Sequence, residues 1–189
     1  MDLAQGTAQL VRLSAAEYEV LRRTIAARGT ARMLVAPTSC LGWAALTLAH
    51  ASVAGTPTTS LLSLAVLVAG FESVHALHVG SERIGRYLQI YYEADVNGPR
   101  WESTAMLVGP ALPGGGIDPL FSGLFIGVCL LNLLAAQPFK FTPIEASMMI
   151  TAHAAFVVRI VRARMAASRQ RAVELESFKA LQSRERARA

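Results

Sequence analysis

Between Phe71 and Glu93 the chain reads FESVHALHVGSERIGRYLQIYYE, in which Glu72, His75, His78, Glu82, Arg86, Gln89 and Glu93 recur at helical spacing. At about 100° per residue they share one sector of a helix, and Ile84, Tyr87, Leu88 and Tyr91 take the other side. Three kinds of chemistry fit such a stripe. Polar and ionisable side chains at stepped depths can pass protons or ions through a helical bundle. Glu72-x-x-His75 matches half of the carboxylate–imidazole pattern that holds metal between bundled helices, and His75, His78 and Glu82 are donors suited to zinc. The third use is structural, with Glu72 as hydrogen-bonding glue between helices. The metal reading rests on Glu72, His75, His78 and Glu82, but Glu-x-x-His occurs once in the chain, so a full site needs a second copy or help from His153 and Glu145.

The elements that carry the stripe follow from hydropathy. With 53% apolar and 16% charged residues the chain is too apolar and too poor in charge for an ordinary soluble domain. Its mean hydropathy of +0.39 is concentrated in four runs, each near the ~20 residues that cross a bilayer as a helix. They are residues 33–54, 59–78, 120–136 and 142–161. No cleavable signal peptide is expected, since residues 1–32 are polar and hold five arginines. The expected architecture is an all-α integral membrane protein with four transmembrane helices and cytoplasmic helical extensions.

Orientation is read from Lys and Arg, which accumulate on the cytoplasmic side. Of 18 such residues, 17 lie in the N-terminal segment, the connection 79–119 and the tail from Arg159; Lys140 alone lies elsewhere. This predicts both termini inside, in the inner membrane of a cell, with outer loops of a few residues. The isoelectric point near 9.8 then reflects orientation and attraction to anionic lipid, and no nucleic-acid partner is expected.

Three pieces lie inside by this reading. In residues 1–32, Ser14 and Glu17 form a capping-box signature, predicting an amphipathic helix along the inner leaflet that feeds the first span after Gly29. Residues 33–163 form the membrane domain; within its connection, Gly98 and Pro99 and then Gly109 to Pro119 break any helix around one turn at Trp101–Val108. Residues 164–189 lack Gly and Pro and predict a basic helix continuing the fourth span.

Placed on the spans by helical rise, Glu72 falls inside the membrane, level with Ser39, Cys40 and His153, while Asn132, His50 and Glu145 lie nearer the outer face. With His75 these residues make a polar intramembrane ladder, continued on the cytoplasmic side by His78, Glu82, Arg86, Gln89 and Glu93. Cys40 and Cys129 are expected to pack as small apolar groups. Gly123-x-x-x-Gly127 suits close helix approach within the chain or between copies. The glycines at 114–116 lack the Lys-Ser/Thr of a phosphate loop and read as a hinge.

No nucleophile elbow, Cys-x-x-Cys or dinucleotide fingerprint is present, and an enzyme is not the first expectation. The reading is a small oligomeric inner-membrane protein that alters ion or proton permeability in response to a cytoplasmic partner or signal, without a cofactor. The alternatives are a metal- or haem-dependent membrane redox enzyme built on Glu72 and His75, and a scaffold or assembly subunit.

Overall fold

A computed structural model describes residues 3–52, 57–93, 100–108, 119–136 and 140–188. The described residues are helical, with no strand: α1 (Leu3–Ser52), a 3-10 turn (Pro57–Thr59), α2 (Ser60–Tyr91), α3 (Trp101–Val108), α4 (Pro119–Ala135) and α5 (Pro143–Arg186). Three of these, α1, α2 and α5, are long and apolar enough to cross a membrane, and α4 is a shorter apolar helix. The expected break at Gly98–Pro99, the one from Gly109 to Pro119 except for Pro119 itself, the hinge glycines at 114–116 and the tip of the first loop at 55–56 lie outside the described residues; Pro119 opens α4. The turn predicted at Trp101–Val108 is α3.

α1 and α2 form an antiparallel hairpin whose register is set by small residues facing larger ones. From the hairpin end inward, Thr59 meets His50, Ser63 meets Thr47, Val66 lies against Gly42, Gly70 against Ser39 and Gly80 against Arg28. At Gly70 the approach requires glycine, because a Cβ there would come 2.1 Å from Ser39 Oγ. The same register continues past the apolar segment, where Tyr92 donates to Glu17 Oε2 at 2.6 Å.

This pairing alters two expectations. α1 starts upstream of Ser14 and runs through Gly29 and Pro37, so the Ser14–Glu17 signature is interior to a helix and caps nothing. Nor do residues 3–32 form a separate helix: they run on into the first apolar segment, and from Glu17 onward α1 packs along α2. The favourable packing of one face against α2 outweighs one glycine, worth about 1 kcal/mol.

α5 runs parallel to α2, with Met149 beside Ser60, Phe156 beside Phe71, Phe178 beside Tyr87 and Gln182 donating to Ile90 O at 2.8 Å. Its start is fixed by a capping box of Thr142 and Glu145 with Pro143 in the first turn. α4 runs the opposite way: Phe121 lies under Arg32 and Asn132 reaches Ser60. The buried core includes Ala36, Leu67, Phe71, Phe125, Cys129, Phe156 and Ile160. Outside it, α1, α4 and α5 present large exposed apolar side chains, among them Leu41, Leu48, Leu134, Ile144 and Ile150. In the most apolar window of α1 only 11% of residues are buried within the chain, so that surface requires an apolar surrounding.

Beyond Arg32 and His78, the continuations of α1, α2 and α5 form an arm of three packed helices, to which α3 is attached.

Candidate functional site

The predicted ladder divides into separate groups. Near the hairpin end, buried Asn132 accepts from Trp43 Nε1 at 3.0 Å and donates through Nδ2 to Ser60 O and to His153 Nε2, at 3.3 and 3.0 Å. His153 Nδ1 lies 2.7 Å from Met149 O, which can only accept, so the ring proton is on Nδ1 and Nε2 receives the amide. Every polar group in this cluster is partnered. His153 lies six residues, roughly 9 Å, before Arg159, the α5 residue level with Glu72, so the two are not at one depth as expected. The expectation failed because it counted from the start of each run, whereas the actual register is set by the contacts of Met149, Phe156 and Arg159.

The other ladder residues serve local structure. Ser39 donates to Val35 O in its own helix and fills the space opposite Gly70. Cys40 is half-buried as a free thiol and Cys129 lies in the core. His50 is bonded to Thr59, and Glu145 belongs to the α5 cap. Gly123 and Gly127 are exposed, and no atom of the described residues lies within 4 Å of an added Cβ, so they do not pack the described helices together.

An aromatic layer separates the Asn132 cluster from the arm end. Phe71 meets Phe125 and Phe156 edge-on, with centroids 5.7 and 5.9 Å apart. Such pairing fills this level of the bundle interior with ring edges and faces. Glu72 is on the outer side of this layer. Its carboxylate accepts a 2.7 Å hydrogen bond from Arg159 Nη2, and the two side chains remain 41% and 43% exposed.

At the arm end, His75 stacks on Phe71 and His78 Nδ1 accepts from Arg32 Nη1 at 2.9 Å. Arg32 also lies over the Phe121 ring. Further along, Arg86 is 5% exposed and bonds both Glu82 and Glu174 at 2.9 Å, while Arg171 reaches Glu82 and Arg83 reaches Glu174. Burial pushes the Glu82 carboxyl up, but Arg171 and the Arg86 hydrogen bond outweigh it and hold it below the ordinary range. Glu174 is likewise raised by burial and brought below that range by Arg83, Gln170 and Arg86. This part of the polar stripe is therefore an interior seam between α2 and α5.

Glu93 is buried because its carboxylate caps α3, accepting from the amides of Glu102 and Ser103 at 2.8 and 2.7 Å. Glu102 in turn pairs with Arg22 and lies against Gly85, where a Cβ would meet its Oε2 at 2.8 Å. Burial, helped by Glu93, raises the Glu102 carboxyl despite Arg22. Gln89, with His78, Glu82, Glu102 and Arg171, borders a polar cleft between these helices.

Comparison with protein families, curated proteins and solved structures gave no match. The candidate site is accordingly defined by its own chemistry. Among the described residues, no group of three or more His, Cys, Asp or Glu side chains is placed to hold a metal ion. Three of the four proposed ligands face basic partners instead: Glu72 has Arg159, His78 has Arg32, and Glu82 has Arg86 and Arg171, while His75 stacks on Phe71.

Sequence reasoning missed Trp43, Arg159, Arg171 and Glu174. Arg159 carried a usable signal, being the one basic residue within the fourth apolar run and so the natural counter-charge for Glu72. Arg171 and Glu174 carried none, because their partners depend on the α2–α5 register.

Proposed function

We propose that the protein is a four-span inner-membrane protein with both termini in the cytoplasm, that it works as a homo-oligomer, and that the assembly changes proton or ion permeability under control of the cytoplasmic arm. The observation that carries this reading is the Glu72–Arg159 pair, charged and partly exposed on the outside of an otherwise apolar bundle. A charged group facing lipid tails costs about 2.5 kcal/mol or more, so the pair requires cover. Beside it α2 presents Ala65, Ala69, Ser73 and Ala76, all exposed and on one helical face. A face of small residues lets the backbone of a neighbouring helix approach closely. A second copy docked there would shield the pair, and a charged, proton-exchanging group would then line the boundary between subunits.

The four-span count is supported by α4. Its 17 residues cover about 25 Å, and it runs antiparallel to α2 with Phe121 under Arg32 and Asn132 bonded to Ser60 O. Orientation is supported by the placement of the basic residues. Cysteines at exposed Lys140 should therefore react with an impermeant thiol reagent from outside intact cells, and cysteines at Arg100 and Ser177 should not.

Assembly is tested by oxidative cross-linking in membranes. Ser73→Cys should give covalent dimers, and Leu41→Cys, on the exposed face of α1, should not. Permeability is tested by ion flux across proteoliposomes. A second reading, an assembly subunit, is favoured by the aromatic layer that fills one level of the interior of the single chain. An intact oligomer without flux would select it.

A further inference from the structure

A small recess opens at the arm end of the apolar segment, between α1, α2, α4 and α5. Its chemistry is two-sided. Phe71, Val74, Phe121 and Ile160 make apolar walls, while Arg32, His78 and Arg164 stand at its border. Arg32 spends one nitrogen on His78, but its Nε is buried and, among the described residues, has no hydrogen-bond acceptor. Arg164 is exposed and no described acid pairs with it. Phe121 and Ser122 come from the first turn of α4, so that helix brings its unbonded amides and positive dipole end to the same place.

Two cations and a helix N-terminus therefore stand around an apolar hollow, an arrangement suited to an anion that also carries apolar groups. We infer that the recess binds a phosphate-bearing amphiphile, specifically an anionic phospholipid of the cytoplasmic leaflet. The phosphate lies between Arg32 and Arg164, and the upper part of an acyl chain lies against Phe121 and Ile160. Arginine suits this task because its planar fork meets two phosphate oxygens at once. A soluble phosphate ester shares the head chemistry but leaves the apolar walls unused, which favours the lipid. The inference rests on the membrane reading above for the level of the recess, next to lipid headgroups.

Full-length protein, purified in a non-ionic detergent and stripped of lipid, is titrated with phosphatidylglycerol, with phosphatidylcholine of the same acyl chains, and with glycerol phosphate. Binding is read by native mass spectrometry and by thermal stability. Phosphatidylglycerol should bind one molecule per chain about tenfold more tightly than phosphatidylcholine, and Arg164→Gln should weaken it about tenfold, as expected for one lost charge-assisted hydrogen bond. Arg169→Gln, a charge on α5 away from the recess, should leave binding unchanged. Arg164 is exposed, so its substitution leaves the fold intact; Arg32→Gln is a second variant that should also weaken binding. Equal binding of the two lipids, or equal effects of Arg164→Gln and Arg169→Gln, would overturn the site. Glycerol phosphate binding as tightly as phosphatidylglycerol would overturn the lipid assignment. Because binding is measured in detergent, its failure is separate from failure of oligomerisation or flux.

Discussion

Glu72 Oε2 and Arg159 Nη2 are 2.7 Å apart, joining α2 to α5 on the outer surface of the bundle beside an exposed face of small residues. Reversing either charge sets two like charges together in an apolar setting. Arg159→Glu or Glu72→Arg alone should lower stability by about 2–3 kcal/mol and disperse the oligomer, and the double exchange should restore both. Size-exclusion chromatography with light scattering reads the outcome. Dispersal that persists in the double exchange would show that the pair is not what holds the interface.

Arg86 and Leu88 test the seam between α2 and α5. The sequence places Arg86 on the polar side, where truncation should matter less than a charge at Leu88. In the structure both are buried, and Arg86 bridges two carboxylates. Arg86→Ala should therefore cost about 3 kcal/mol by removing the buried guanidinium that bridges Glu82 and Glu174, which keep only the more exposed Arg171 and Arg83, comparable to Leu88→Asp. Thermal unfolding of the two variants compares them directly; a near-neutral Arg86→Ala would mean that the seam is open to water.

Glycines on different helices should respond differently to one methyl group. Gly70→Ala would put Cβ 2.4 Å from Ser39 Cβ and should destabilise by about 1–3 kcal/mol, because α1 and α2 must separate. Gly123→Ala and Gly127→Ala, in open space, should leave monomer stability unchanged or raised by up to ~1 kcal/mol. The melting temperatures in detergent decide this, and equal losses at all three would place a neighbour against α4 in the assembled protein.

The arm should be most resistant between about pH 5 and pH 10. Glu82 and Glu174 are held below their ordinary value of 4.5, so their stabilisation is present above 4.5 and is lost as pH falls through the lowered values. Raised Glu102 has the opposite sign, contributing most below 4.5 and losing that contribution as pH rises through its raised value, which softens the acid limb. Burial and the hydrogen bond to Glu17 push Tyr87 up to about 12, so its contribution is present below 10 and is lost as pH rises through about 12. Limited proteolysis of the arm across pH should show cleavage rising at both ends; cleavage greatest near neutrality would contradict the assignment.

Hydropathy made the long apolar helices legible, and the lack of Gly and Pro made the extension of α5 legible, since both are local properties of one segment. Contacts between segments were less so. The helical period correctly grouped Glu72, Glu82 and Arg86 on one face, but it could not say that α5 lies along the Arg86 part of that face. The Ser14–Glu17 signature misled because the residues before it are also helical, so no helix starts there. Gly70 and Ser39 set the hairpin register by size alone, a signal visible only once the two helices are paired.

Proton or ion flux across proteoliposomes tests the central claim most directly, comparing wild-type protein with Glu72→Gln at matched oligomer content. The amide retains the shape of the side chain and can still accept from Arg159, but it cannot exchange a proton or carry charge. The account predicts flux above that of protein-free liposomes for the wild type and a fall of about tenfold or more for Glu72→Gln. Wild-type flux equal to that of empty liposomes, or a Glu72→Gln variant that conducts as well as the wild type, would contradict it.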